Sequence, residues 1–335
     1  ENASLLGPNS IGKTLQVIQS TLDGNKMIAL DDSDVSKVGL PKIRLNPAIG
    51  IVEIASGCMS ECTFCQTKLA KGELQSYRIG DIVRQINTEL SDGCKEIWLT
   101  STDNGCYGFD IDTDLPELVN TVSDIPEKFF IRVGMMNPMY MPRIRNSLLK
   151  SFESNKVFKF LHVPVQCGSD KVLNDMKRGH TAQTFRDVVE RFRAKFQNFT
   201  ISTDVIVGFP TETEDDFEKT LELLKETRPD IVNLSRYSQR PGTDAAEMEQ
   251  IDVLEVKRRS KIAYELICKI SEENNRKWVG WEGQVMFDED YENQVRGRNF
   301  AYKSIFVSQQ PKIGQISTVR ITDATTHSLI GKISS

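Results

Sequence analysis

Between residues 51 and 237 the chain alternates two hydrophobic patterns, and few folds accept that alternation. Short, β-rich apolar runs stand at IVEIAS (51–56), KEIWLT (95–100), FFIRVG (129–134), KFLHVP (159–164), TISTDVIVGFP (200–210) and DIVNLSRY (230–237). Helix-period stretches lie between them near 79–92, 114–123, 142–154, 181–196 and 213–228. A strand followed by a helix that carries the chain back to the next strand predicts parallel pairing with right-handed crossovers. Six such strands predict an α/β fold, a parallel βα barrel or an open part of one. Chemistry is then expected on the loops that leave the strands' C-terminal ends.

The flanks differ from this middle. After Tyr237, SQRPGTDAAEMEQ reads as a loop and residues 251–275 as a charged connecting helix. EGQVMF, AYKSIFV, QISTVRIT and SLIGKI then read as short strands of a small β-barrel or sandwich over residues 276–335. At the other end, residues 7–14 read GPNSIGKT, which matches the phosphate-loop pattern G-x-x-x-x-G-K-T. In such a loop Lys13 would reach phosphate oxygens and Thr14 would ligate Mg²⁺. Its context argues against a nucleotide hydrolase. Only ENASLL precedes Gly7, which reads as a frayed terminus, and DDSDVSKVGLPKIRLNPAIG (31–50) reads as a linker rather than a strand ending in Asp. The simpler expectation is a helix start with Ser10 as N-cap.

Composition narrows the class of partner. The 335 residues are 39% hydrophobic and 27% charged, ordinary for a soluble globular protein. No run of about 18 apolar residues and no signal sequence is present, so a cytoplasmic protein without a membrane partner is expected. The formal charge is 42 − 47 = −5, which supplies no overall basic field for DNA. Residues 276–335 carry eight Lys and Arg against six Asp and Glu, so 8 − 6 = +2 there and −7 elsewhere. Any nucleic-acid contact is therefore expected in that tail, where Arg296, Arg298, Tyr302 and Phe306 are of types that pair phosphates or stack on bases.

The seven cysteines are odd in number, and three fall in one loop, GCMSECTFCQ (57–66), directly after the first barrel strand. That clustering argues against a disulfide framework. Cys58, Cys62 and Cys65 have the spacing C-x₃-C-x₂-C with no fourth cysteine nearby. A structural zinc site wants four ligands, a redox dithiol would leave Cys58 idle, and buried free thiols suit a polar loop poorly. Beside these readings, the one that uses all three thiolates best is a [4Fe-4S] cluster with its fourth iron open to a small molecule. Cys94, Cys106 and Cys167 are dispersed and read as small barrel residues.

On these residues the chain resembles the radical S-adenosylmethionine superfamily. The resemblance implies a partial (open) parallel βα barrel of radical SAM type followed by a small C-terminal β-barrel, a TRAM-like domain. It also implies that the open iron chelates S-adenosylmethionine, with Phe64 packed near the adenine. EIWLTSTDNGCYG (96–108) falls where the family places polar groups for the methionine end, which points to Thr102 and Asp103. HVPVQCGSDKVLNDMKRGHT (162–181), ISTDVIVGFPTETEDDF (201–217) and RYSQRPGT (236–243) are similar to the methylthiotransferase branch, and by that likeness Gln166, Arg178, Ser202 and Asp204 line the S-adenosylmethionine pocket.

CTFCQTKLAKG and IWLTSTDNGCYG look most like the archaeal and eukaryotic enzymes that methylthiolate C2 of N6-threonylcarbamoyladenosine-37 in tRNA. The eukaryotic members' membrane anchor has no counterpart here, so an archaeal origin is expected. The likeness implies tRNA and a low-potential electron donor as partners. It divides the chain into a remnant of an N-terminal domain with linker (1–46), the barrel (47–250), the connecting helix (251–275) and the RNA-binding β-domain (276–335). Complete members hold a second, auxiliary cluster on three further cysteines of that N-terminal domain. No cysteine precedes Cys58, so a truncated chain short of full activity is expected, with GPNSIGKT at the start of that domain's last helix. The alternatives are the same chemistry on a ribosomal protein and a non-catalytic iron–sulfur RNA-binding protein.

Overall fold

The computed structural model describes residues 3–30 and 36–334; residues 31–35, the start of the expected linker, lie outside the described residues. Six strands form the centre: β1 (Ile49–Glu53), β2 (Glu96–Thr100), β3 (Phe130–Val133), β4 (Phe160–His162), β5 (Thr200–Val207) and β6 (Ile231–Arg236). They run parallel in sequence order. β1–β2–β3 pair with Ile49 opposite Glu96 and Glu96 opposite Phe130, and β4–β5–β6 pair with Phe160 opposite Thr200 and Ile231 opposite Ser202. Between the two triplets, a bridge from Ile131 to Val157 and a bond from Met136 N to His162 O, 3.0 Å, keep the curve continuous. No ladder joins β6 to β1 among the described residues, so the barrel is open, as expected.

The outer layer is helical because each crossover carries a start signal and one apolar stripe. α3 (Ile79–Ser91), α4 (Leu115–Ser123), α5 (Met141–Ser151), α7 (Ala182–Lys195) and α8 (Glu214–Thr227) lie within three residues of the expected spans. Asp114 caps α4 through the Glu117 N–H, and Thr213 with Asp216 forms a reciprocal capping box on α8. Ile82 and Ile86 of α3 and Val188 and Phe192 of α7 are fully or almost fully buried against strand residues such as Val52, Leu99 and Ile201. Each such side chain contributes roughly 1.5–3 kcal/mol by leaving water. Two short helices, α2 (Gln66–Lys71) and α6 (Asp170–Asp175), sit in the loops after β1 and β4.

The long α9 (Val253–Arg276) leads to a closed five-stranded barrel. Its strands are β7 (Glu282–Tyr291), β8 (Gln294–Arg298), β9 (Ser304–Val307), β10 (Ile316–Ala324) and β11 (Leu329–Ile333), paired in the order β7-β8-β9-β11-β10 and closed by β10 on β7. β8, QVRGR, has no counterpart among the expected strands. Its only large apolar residue is the inward Val295, so its alternation carries almost no hydrophobic signal.

Two expectations are corrected here. Leu5–Leu6 is not frayed. It pairs in parallel with Ile28–Ala29, and a 3₁₀ turn (Ile11–Lys13) and α1 (Thr14–Leu22) connect them as a small strand–helix–strand unit. Ser10 makes no side-chain cap bond there, and the Thr14 hydroxyl donates to Ile11 O at 2.5 Å. The second correction concerns Tyr302, expected on an RNA-facing surface. It is 6% exposed, wedged between the two barrels against Phe158 and Phe160 with ring centroids 4.8 and 5.0 Å away. It lies in the turn before Ser304–Val307 with φ 59°, which turns its ring under the parallel barrel.

Candidate active site and metal centre

The cysteine loop leaves the C-terminal end of β1 through Gly57, whose φ is 72°. A Cβ at this position would lie 1.8 Å from Glu73 O, so only glycine lets the returning strand Gln75–Ser76 pair with Ala55–Ser56 and close the loop's base. Neighbouring elements then clamp the loop at several points. Thr63 donates to the α6 end through its N–H (Met176 O, 3.2 Å) and its hydroxyl (Asp175 O, 3.0 Å). Ala245 N donates to Thr63 O at 2.9 Å, and Asn137 Nδ2 to Ser60 Oγ at 3.1 Å. The loop is thus fixed by the connections after β3, β4 and β6.

The three thiols differ. Cys58 is buried, and a hydrogen bond with the Cys106 thiol holds it down at about 6, while the same contact and burial push Cys106 up. Burial pushes Cys62 up, against the pull of the Arg178 guanidinium, whose Nη1 lies 3.1 Å from Cys62 Sγ. Cys65 is half-buried and faces a cavity of about 380 Å³ lined also by Phe64, His162, Gln166, Asp204, Asn233 and Tyr237. That volume lies in the range of small-molecule sites. Among the described residues no three His, Cys, Asp or Glu side chains converge as they would on a single metal ion. A cubane cluster asks for no such convergence, since each thiolate binds a different corner.

The expected pocket residues sort into three groups. Phe64, Gln166 and Asp204 line the cavity with Cys65. Phe64 stands edge-on to Phe209 with centroids 6.5 Å apart. Gln166 has φ 72°, a left-handed conformation that a side chain rarely adopts. Asp204 is pushed up by burial, but the His162 Nε2 contact at 2.9 Å and the Asn233 Nδ2 bond at 2.7 Å more than offset this and hold it below the usual carboxylate range. Arg178 touches the cysteine loop through Cys62, and neither it nor Thr102 lines that cavity. Asp103 and Ser202 are buried in the scaffold. Asp103 Oδ1 accepts from Gly105 N (2.9 Å) and Asn137 N (3.0 Å), and burial raises its carboxyl to about 6.

Buried polar atoms here without a hydrogen-bond partner include Thr102 Oγ1, Gln166 Oε1, Arg178 Nε and Tyr237 Oη. Buried polar groups are normally satisfied, so the orphans that border this cavity and the cysteine loop fit a polar ligand. His162 and Asn233 escaped the sequence reading. His162 lay inside a stretch already singled out, and its place as last residue of β4 was the available signal.

Residues 52–224 match the family model of the radical SAM superfamily, and residues 288–334 that of the TRAM domain. A probable threonylcarbamoyladenosine tRNA methylthiotransferase of Archaeoglobus fulgidus is 42% identical over 98% of this chain and 78% of its own length. This chain belongs to that radical SAM family. The threonylcarbamoyladenosine tRNA methylthiotransferase of Drosophila melanogaster is 38% identical over 98% of this chain, which spans 62% of the fly protein. Among solved structures, the radical S-adenosylmethionine methyltransferase TsrM of Kitasatospora setae overlays with a TM-score of 0.51 at 14% identity, over 63% of this chain and 41% of that one. That likeness concerns the fold alone. Membership of the radical SAM superfamily brings S-adenosylmethionine and a [4Fe-4S] cluster, and the fold places a clamped cysteine loop and orphaned polar atoms where both fit.

The tail is less open than expected. Arg296 and Arg298 are both drawn onto the buried Asp288, through bonds of 3.1–3.2 Å, and Arg298 lies over the Tyr302 ring. Phe306 is half-buried on the outer face, 5.4 Å from the exposed Tyr291 ring. Among the described residues no helix is long and apolar enough to cross a membrane.

Proposed function

We propose that this chain is the radical-generating part of an enzyme that adds a methylthio group to C2 of N6-threonylcarbamoyladenosine-37 in tRNA. The observation that carries the reading is the three-cysteine loop clamped at the end of β1, beside a cavity bordered by Gln166 and Asp204. Cys58, Cys62 and Cys65 hold one [4Fe-4S] cluster. When bound, that cluster supplies the electron that splits S-adenosylmethionine into methionine and the 5′-deoxyadenosyl radical needed at an unactivated aromatic carbon.

The chain's own residues hold, orient and enclose. Phe64 packs the adenine. Asp204, fixed by His162 and Asn233, accepts hydrogen bonds from ribose, and Gln166 and Thr102 meet the remaining polar atoms. Ser202 and Asp103 support this wall from behind. In this reading residues 47–250 carry the chemistry and 276–335 meet tRNA, with Phe306 and Tyr291 as the stacking pair and Arg296 at its border. A low-potential one-electron donor serves the cluster. Sulfur delivery needs an auxiliary cluster separate from the one on Cys58, Cys62 and Cys65, and Cys94, Cys106 and Cys167, buried in the barrel, take no part in it.

The test is incubation of the reconstituted chain with reductant, S-adenosylmethionine and tRNA carrying the threonylcarbamoyl group, followed by mass analysis of nucleosides. The expected products are 5′-deoxyadenosine without 2-methylthio nucleoside. Full methylthiolation by this chain would contradict the assignment of sulfur delivery. Absence of 5′-deoxyadenosine would contradict the radical chemistry itself.

A further inference from the structure

Arg178 is a buried cation without a carboxylate partner. It is 6% exposed, and no Asp or Glu oxygen forms an ion pair with it among the described residues. Its Nη2 donates to Pro164 O at 3.2 Å, its Nη1 to Cys62 Sγ at 3.1 Å, and its Nε has no partner. The one other arginine buried this deeply among the described residues is treated differently: Arg259, 5% exposed, is met by Glu212 at 2.9 Å and Glu255 at 2.7 Å. A charge left alone in such a place is strongly destabilising, so its retention calls for an anion that the polypeptide does not provide. Asp103 and Asp204 face the same region, but Asp103 is turned to its own loop and Asp204 to His162.

We propose that Arg178 is the positioning residue that serves as counter-cation to the iron–sulfur cluster. It holds the Cys62 thiolate and favours the cluster's one-electron reduced, more negative state; this rests on the cluster ligation proposed above. Reduction adds one electron from a low-potential one-electron reductant and breaks no bond. A fixed positive charge beside one ligand therefore raises the reduction potential, as net charge and hydrogen bonds to sulfur do in such centres. The fork shape matters as well, because a guanidinium can bond the sulfur and the Pro164 carbonyl together.

The experiment is dye-mediated redox titration of the anaerobically reconstituted chain, followed by electron paramagnetic resonance. S-adenosylmethionine is left out, so that a role in binding that molecule would not move the result. Arg178→Gln should make reduction at least tenfold less favourable, a shift of about 59 mV to more negative potential for a one-electron couple. Arg178→Lys, which keeps the charge, should stay within tenfold of the unsubstituted chain. Without iron, Arg178→Gln should unfold at or above the unsubstituted chain's temperature, because an unpaired buried charge has gone. An unchanged potential in Arg178→Gln, or a lower unfolding temperature without iron, overturns the proposal. If the Gln variant takes up no iron, the Lys variant decides, and a displacement beyond tenfold overturns it. Failure of the unsubstituted chain to take up about four irons would overturn the ligation reading itself, and the inference with it.

Discussion

The two ends of the parallel barrel treat buried cations in different ways. At the N-terminal ends of the strands, where the second barrel docks, charges are answered. Lys303 meets Asp230 at 2.8 Å, Arg296 and Arg298 meet Asp288, and Arg132 lies over the rings of Trp98, Phe160 and Tyr302. At the C-terminal ends, Thr102, Gln166 and Arg178 keep orphaned atoms, and Gln166 sits in a left-handed conformation. The first end is a seam whose buried cations are met within the chain, although Glu96 Oε2, Arg132 Nε, Thr200 Oγ1 and Asn299 Nδ2 there also lack a hydrogen-bond partner. The second is arranged for groups that arrive from outside, the general habit of barrels whose loops carry function.

Substitutions can break this contrast in graded steps. The largest effect is expected at the open end. Replacing any of Cys58, Cys62 or Cys65 by Ala should abolish 5′-deoxyadenosine formation while leaving the unfolding temperature of the iron-free chain nearly unchanged; chromatography of the nucleoside and calorimetry check both. Next comes the seam. Tyr302→Ala should cost about 3–5 kcal/mol in chemical denaturation, as for other buried aromatic truncations, and barely affect 5′-deoxyadenosine formation. An Ala variant that kept full stability but lost tRNA affinity would return Tyr302 to the RNA-facing surface.

A smaller effect is expected for Asp204→Asn. Losing the charged acceptor beside His162 and Asn233 should weaken S-adenosylmethionine binding by about tenfold, near 1.4 kcal/mol, as read by isothermal titration. The smallest is a matter of pH at the seam. Glu96 is raised to about 7 by burial, with the Trp98 Nε1–H donated to it and Asp288, Arg298 and Tyr302 around it. A carboxyl with a raised folded-state pKa binds its proton more tightly in the native chain. Stability should therefore fall as pH rises from about 4.5 to 7 and level off above. Glu96→Gln should flatten that slope and unfold at a higher temperature than the unsubstituted chain at pH 8.

The six barrel strands were legible because each is an apolar run bounded by an amphipathic helix, and the helices because caps such as Asp114 and Thr213 announce them. β8 was not legible, since arginines and glycine dominate it. Of the site, the cysteine loop was plain in spacing, and Phe64, Gln166 and Asp204 do gather at one cavity. Asp103 and Ser202 did not join them, because a loop carboxylate beside free backbone N–H groups turns inward and mid-strand Ser202 is buried beneath the cavity. Tyr302 was misread because it sits in a left-handed turn outside the strands, and nothing local says that this turn meets a second domain. The Arg178–Cys62 contact joins residues 116 positions apart, and no local pattern encodes it.

The most direct test of the central claim is electron paramagnetic resonance of the reduced, reconstituted chain before and after S-adenosylmethionine is added. One cluster with an iron open to that molecule predicts about four irons per chain and a spectrum that changes on addition, with both features lost in Cys65→Ala. A spectrum indifferent to S-adenosylmethionine, or iron retained after Cys65 is removed, would contradict it.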